Sequence, residues 1–104
     1  MLQIDGQPDI LTELIDLYLK DSKTMIASIH KALEEKDSII LKRWAHSLKG
    51  ASANVGARKL SSYLSTLESQ AANANFSDAI DTVSKIDTEY LNAYRALERE
   101  RKVC

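Results

Sequence analysis

His46, Lys49, Gly50 and Lys42 are spaced so that one short stretch of helix would bring them to a common surface. With Leu48 as the zero of a helical wheel and about 100° per residue, Leu41, Trp44, Ala45, Ala51, Ser52 and Val55 fall within about 60° of it. That arc is the buried side. His46 lands about 160° away, with Lys42, Lys49, Gly50 and Ala53 on the same outward surface. An exposed imidazole with one free ring nitrogen is a competent nucleophile for phosphoryl transfer. Lys49, three residues on, supplies a flexible cation within reach of a negative group attached to that ring. Gly50 sits mid-helix, where glycine costs roughly 1 kcal/mol relative to alanine. Together with Ala53 it lowers the surface beside the ring, so that another protein could bring a reactive group close.

The same stretch excludes other chemistries. No second histidine, cysteine or carboxylate lies three or four residues from His46, so a helical metal pair is absent and no metal ligand set is assigned. There is no Gly-rich phosphate loop for a nucleotide, and no Ser/His/Asp constellation can be assembled. His46 could accept and hand on a phosphoryl group, but nothing in the chain would generate one from a nucleotide. That is the description of a carrier, not of an enzyme. His30 follows Ile29, has no Lys-Gly pair after it, and reads as ordinary surface.

The charge distribution points to the same place. The chain carries 14 basic and 15 acidic side chains, a formal net charge of −1, which argues against a generic nucleic-acid binder. Between Ser38 and Leu67, however, there is no Asp or Glu, and Lys42, Arg43, Lys49, Arg58 and Lys59 give that window +5 against −6 for the remainder. Such a patch favours an acidic partner and a phosphoryl group. Lys42, Arg43 and Ala53 complete the candidate phosphate- or partner-binding surface; Arg58 and Lys59 contribute mainly to the field. Two other readings use the same features: a nucleic-acid-binding helical module, and a docking bundle without phosphotransfer. In both, replacing His46 would change nothing.

The elements that must position these residues follow from composition and period. At 104 residues, 44% apolar, with three glycines and one proline, the chain suits one all-α domain over 1–104 with a core of about 9–97. A short first helix is expected to open at Pro8 and to carry Ile10, Leu11, Leu14, Ile15, Leu17, Tyr18 and Leu19. A second is expected from about Ser22 to Glu35, capped by Asp21 or Ser22. A third runs from a cap at Asp37 or Ser38 to about Val55 and is stopped by Gly56. A fourth spans roughly Ala57 to Ala72. The last, capped at Asn75 with Asp78 three residues on, carries Phe76, Ala79, Ile80, Val83, Ile86, Tyr90, Ala93, Tyr94 and Leu97 and is about 22–25 residues long. Short connections make neighbours antiparallel. The expectation is an antiparallel four-helix bundle with a short additional N-terminal helix. Trp44 and Tyr63 read as core or boundary aromatics. One cysteine, Cys104, permits no intrachain disulfide, and no apolar run reaches the length of a membrane span or forms a signal sequence, so a cytoplasmic setting without membrane contact is expected.

The run Ala45-His46-Ser47-Leu48-Lys49-Gly50-Ala51-Ser52-Ala53-Asn54-Val55-Gly56, followed by Leu60 and Leu67-Glu68, closely resembles the histidine-containing phosphotransfer (HPt) domain and its AHxLKGxSxxxG pattern. The segment Leu14 to Leu19 and the approach Asp37, Leu41, Arg43 are also similar to that family, so the resemblance covers about Asp9 to Leu97. It implies a phosphorelay intermediate of two-component signalling. His46 would take a phosphoryl group from the aspartate of one response-regulator receiver domain and pass it to the aspartate of another. Lys49 would neutralise phosphate charge, and Gly50 would leave room for the receiver. Where the family often has Gln, this chain has Glu68. A carboxylate there would fix the imidazole tautomer through Nδ1 and leave Nε2 as nucleophile, and would repel a phosphoryl group placed too close. The resemblance further implies no cofactor in this chain, with Mg²⁺ supplied by the receiver. The domain would act as a monomer, docking through the apolar fringe beside His46 and the first helix. It would be either a free-standing carrier or the cytoplasmic module of a membrane-bound hybrid sensor kinase.

Overall fold

The structure is a computed structural model that describes residues 10–103, with side chains described over residues 10–100. Four helices account for nearly all of it: α1 (Ile10–Glu34), α2 (Ser38–Asn54), α3 (Arg58–Ala72) and α4 (Phe76–Val103). Each connection is a three-residue link, too short for anything but an antiparallel return. All three links end the preceding helix in the same way. The backbone turns left-handed at Lys36 (φ 53°), Gly56 (φ 81°) and Ala74 (φ 52°). The following amide reaches back five residues, from Asp37 to the Ala32 carbonyl at 2.9 Å, from Ala57 to Ser52 at 2.9 Å, and from Asn75 to Gln70 at 2.8 Å. Only one of the three positions carries the glycine that this conformation favours. Starts are capped as the sequence suggests: Asp37 Oδ1 accepts from the Ile40 amide at 3.1 Å, and Asn75 Oδ1 accepts from the Asp78 amide at 3.3 Å.

The two N-terminal helices expected from the sequence are one. No glycine or proline interrupts residues 10–34, so nothing forces a break where Asp21 and Ser22 resemble a cap. Ser22 faces inward instead, 1% exposed, and its hydroxyl lies 2.8 Å from that of Tyr90 on α4. The additional short helix is therefore the first half of α1; its expected start at Pro8 lies outside the described residues. Of the apolar residues expected on it, Ile15, Tyr18 and Leu19 are buried, while Ile10 and Leu17 stand in solvent. Ile80 on α4 is likewise exposed. The last helix, at 28 residues, is longer than expected.

Each helix packs on its two neighbours around the ring α1–α2–α3–α4, and among the described residues the backbones of the diagonal pairs stay apart. The core is built from Ile15, Leu19 and Ile29 of α1, Leu41, Ala45 and Leu48 of α2, Leu60, Leu64 and Leu67 of α3, and Ala79, Val83 and Ile86 of α4. Full burial of each such leucine or isoleucine is worth about 1.5–3 kcal/mol. Trp44 and Tyr63 pack at the margin of this core, as the sequence suggests. The most extensive of the four packings is α2 on α3. It is also the one that carries the histidine.

Candidate functional site

Burial of Leu41, Ala45, Leu48 and Ser52 along one side of α2 turns His46 outward, with 67% of its side chain exposed. The wheel direction read from the sequence is thus the observed one. Gly56 reverses the chain, α3 returns alongside α2, and burial of Leu64, Leu67 and Ala71 rotates Glu68 onto the flank facing α2. There the Glu68 carboxylate is shared: Oε2 lies 3.0 Å from Nδ1 of His46, and Oε1 accepts from Nζ of Lys49 at 2.6 Å. Farther along the same hairpin, the Ser61 hydroxyl donates to the Lys49 carbonyl at 3.3 Å.

The electrostatics of this trio are consistent. The Lys49 ammonium, and to a smaller extent the His46 ring, hold the Glu68 carboxyl below its ordinary range against the opposing effect of burial. An ionised carboxylate can only accept hydrogen bonds, so Nδ1 must carry the proton between it and Glu68. In the neutral ring this leaves the lone pair on Nε2, on the far side of the ring from Glu68.

Gly50 lies exposed on the same face, and a Cβ built there would meet nothing within 4 Å. Close helix packing therefore does not call for the glycine. Ala53, one turn on, is exposed as well. Beside the ring, a shallow hollow of about 360 Å³ is lined by Ile39, Lys42, Arg43, His46, Ser47 and Glu68. Ile39, 72% exposed, was not singled out from the sequence, although the wheel that places His46 also places Ile39 opposite Leu48. A second, smaller cavity of about 130 Å³ opens between α1 and the C-terminal half of α2, with Leu14, Leu17 and Met25 facing Ala51 and Val55. His30 is on the α1–α4 seam, its Nε2 2.8 Å from Asp87 Oδ1, and takes no part in the site. Among the described residues, no group of three His, Cys, Asp or Glu side chains could hold a metal ion. Among the described residues, no helix is long and apolar enough to cross a membrane.

An antiparallel helical bundle that exposes one ring nitrogen of a surface histidine, and fixes the other with a carboxylate, is a scaffold for offering an imidazole to a partner. Comparison with known proteins makes the class specific. Residues 13–100 match the family model of the Hpt domain. The chain is 30% identical over 99 residues to histidine-containing phosphotransfer protein 4 of Arabidopsis thaliana, covering 93% of this chain and 78% of that protein. It is 26% identical over 92 residues to protein 2 of the same plant, and there the match covers 86% of this chain but only 59% of the relative. The crystal structure of histidine-containing phosphotransfer protein B from Pseudomonas aeruginosa PAO1 superposes with a TM-score of 0.86 at 30% identity, covering 89% of this chain and 81% of that one. The chain belongs to the Hpt domain family.

Proposed function

We propose that this domain is a phosphorelay carrier that receives a phosphoryl group on Nε2 of His46 from a receiver-domain aspartate and returns it to the aspartate of another receiver. The observation that carries this is the 3.0 Å contact between Nδ1 and Glu68, which leaves Nε2 as the outward lone pair. In the accepting step that lone pair forms a bond to phosphorus as the bond from phosphorus to the aspartyl oxygen breaks, and the carboxylate leaves with its electrons. The ring becomes a cation with its Nδ1 proton still held by Glu68, so the positive charge arises beside a fixed negative one. In the onward step the same electrons return to Nε2 and a neutral imidazole leaves. Mg²⁺ and the acidic pocket belong to the receiver in this scheme, and this chain contributes no cofactor. Lys49 neutralises the Glu68 oxygen nearest it, which lessens the repulsion between that carboxylate and an incoming phosphoryl group. The open surface at Gly50 and Ala53, the exposed Ile39, and the Leu14–Leu17 edge of α1 are the surface on which a receiver would dock.

Incubation with a phosphorylated receiver and Mg²⁺ tests this directly. The chain should acquire phosphate that is labile to acid and stable to alkali, and His46→Gln should acquire none. Equal labelling of His46→Gln would overturn the assignment.

A further inference from the structure

We propose that Lys42 and Arg43, and not Lys49, are the cations that receive the charge of a phosphoryl group on His46. The inference rests on His46 being the phosphoryl site. It concerns where on the surface of α2 that group is held.

Three observations carry it. First, Lys49 is already committed: its Nζ is 2.6 Å from Glu68 Oε1, with 31% of the side chain exposed. For Lys49 to turn to a phosphoryl group it would have to leave a carboxylate uncovered beside a dianion, replacing one attraction with a repulsion. Secondly, Glu68 holds Nδ1 of the ring, and the Lys49 ammonium is bound to the other oxygen of that carboxylate. The exits of Nδ1 and Nε2 from a five-membered ring diverge widely, so a group on Nε2 is directed away from the contact that Glu68 makes with Nδ1. Thirdly, the hollow beside the ring is lined by Lys42 and Arg43, one turn before His46, and Lys49 is not part of its wall. Helical side chains lean over the turn on their N-terminal side, which carries the imidazole toward these two residues. Both are exposed, and neither is in an ion pair among the described residues. The only carboxylate in that wall is Glu68, which Lys49 and His46 already engage.

Arg43 offers a planar fork suited to phosphate oxygens, and Lys42 a mobile point charge. Nothing in the hydrogen bonding of either residue has to be broken before it can turn to the phosphoryl group. Lys49, in contrast, acts through Glu68 and is a positioning residue for the ring.

The test is a ³¹P titration of the phosphorylated chain. Phosphoramidate serves as donor: Nε2 forms the new bond to phosphorus as ammonia leaves with the electrons of the old one, so no receiver is needed. The phosphohistidine signal absent from His46→Gln is that of His46. Nearby cations favour the dianionic phosphoryl group and lower the pH at which it titrates. The Lys42→Ala/Arg43→Ala double variant should therefore titrate higher than the parent by about 0.5 pH unit or more, and Lys49→Ala/Glu68→Gln, which removes the cation together with the carboxylate it covers, by clearly less. Arg58→Ala/Lys59→Ala removes equal charge from the start of α3 and should leave the midpoint near that of the parent, which separates a local contact from the general field. Unchanged helicity by circular dichroism checks that each variant is folded. If Lys49→Ala/Glu68→Gln shifts the midpoint as much as Lys42→Ala/Arg43→Ala does or more, the proposal is wrong while His46 remains the site. If the parent yields no phosphohistidine that His46→Gln lacks, the carrier function fails together with it.

Discussion

Glu68 reaches across from α3 to hold Nδ1 of His46 at 3.0 Å, joining residues that are 22 positions apart in the chain. The contact is polar and lies at the surface, but its geometry is set by the core beneath it. Leu48 and Leu67, both 0% exposed, fix the rotation of α2 and α3 about their own axes and so bring the two side chains face to face. Lys49 on the second carboxylate oxygen keeps Glu68 ionised.

The Glu68 carboxyl, held low by Lys49 first and His46 second, makes a pH-dependent contribution. A carboxyl with a depressed folded-state pKa stabilises the fold above its unfolded value near 4.5, and that contribution disappears as pH falls through the lower folded value. The melting difference between the parent and Glu68→Gln should thus be largest above about pH 5 and close at lower pH. In ¹⁵N spectra the His46 ring of the parent should be the Nδ1–H tautomer, and Glu68→Ala should show a mixture. An unmixed ring in that variant would mean that Glu68 does not select the tautomer.

Lys49→Ala should slow phosphotransfer about tenfold, the effect expected of losing a residue that orients a reacting group through a second one. Stability should change little, because a partly exposed pair such as Lys49–Glu68 is worth about 0–1 kcal/mol. Stopped-flow transfer and thermal melting on the same sample decide the matter. A collapse of the fold would make Lys49 structural.

The two described helix-face and turn glycines should respond in opposite directions. Gly50→Ala meets open space and removes a helix-breaking residue, so it should stabilise the fold by about 0.5–1 kcal/mol. It should also slow transfer from a receiver, since the new methyl projects where the partner must approach. Gly56→Ala places a Cβ at φ +81° and should destabilise by about 1–2 kcal/mol with transfer unchanged per folded molecule. Chemical denaturation gives both signs. A destabilised Gly50→Ala would refute the view that this glycine is there for the partner.

Tyr18 and Ser52 form a buried hydroxyl pair at 2.8 Å that ties α1 to α2. Burial pushes the Tyr18 phenol up to about 12, partly offset by the Ser52 bond. A raised pKa contributes stability that is complete below the unfolded value of 10.0 and is lost as pH rises through the folded value. Alkaline titration should show one tyrosine ionising last, and Tyr18→Phe should remove it. Ser52→Ala leaves a buried phenol unpaired and should cost about 1–3 kcal/mol. The double variant should cost less than the two single changes added together, and strict additivity would mean that the pair is not coupled.

Much of the fold can be read along the chain. The caps at Asp37 and Asn75, the stop at Gly56 and the stripes of α2 and α3 depend on residues three or four apart, and they fall where period and capping put them. The first helix shows where local reading fails. Asp21-Ser22 has the chemistry of a cap, and within a few residues nothing distinguishes a cap from an inward serine. The difference is Tyr90, 68 residues away, whose hydroxyl gives Ser22 a partner inside the bundle. Ile10, Leu17 and Ile80 fail for a related reason: an apolar side chain is buried only if a neighbouring helix covers it.

The sequence by itself determined that this is a helical bundle, that His46 faces outward among cations, and that Gly50 lies beside it. Each of these is a matter of helical period and residue type, which a chain carries locally. The tertiary structure decided that α1 is one helix, that Glu68 takes Nδ1 and leaves Nε2 open, and that Lys49 is engaged while Lys42 and Arg43 are not. Those outcomes depend on the register and rotation of one helix against another, and these are set by the packing of Leu48, Leu64 and Leu67, not by any residue of the site.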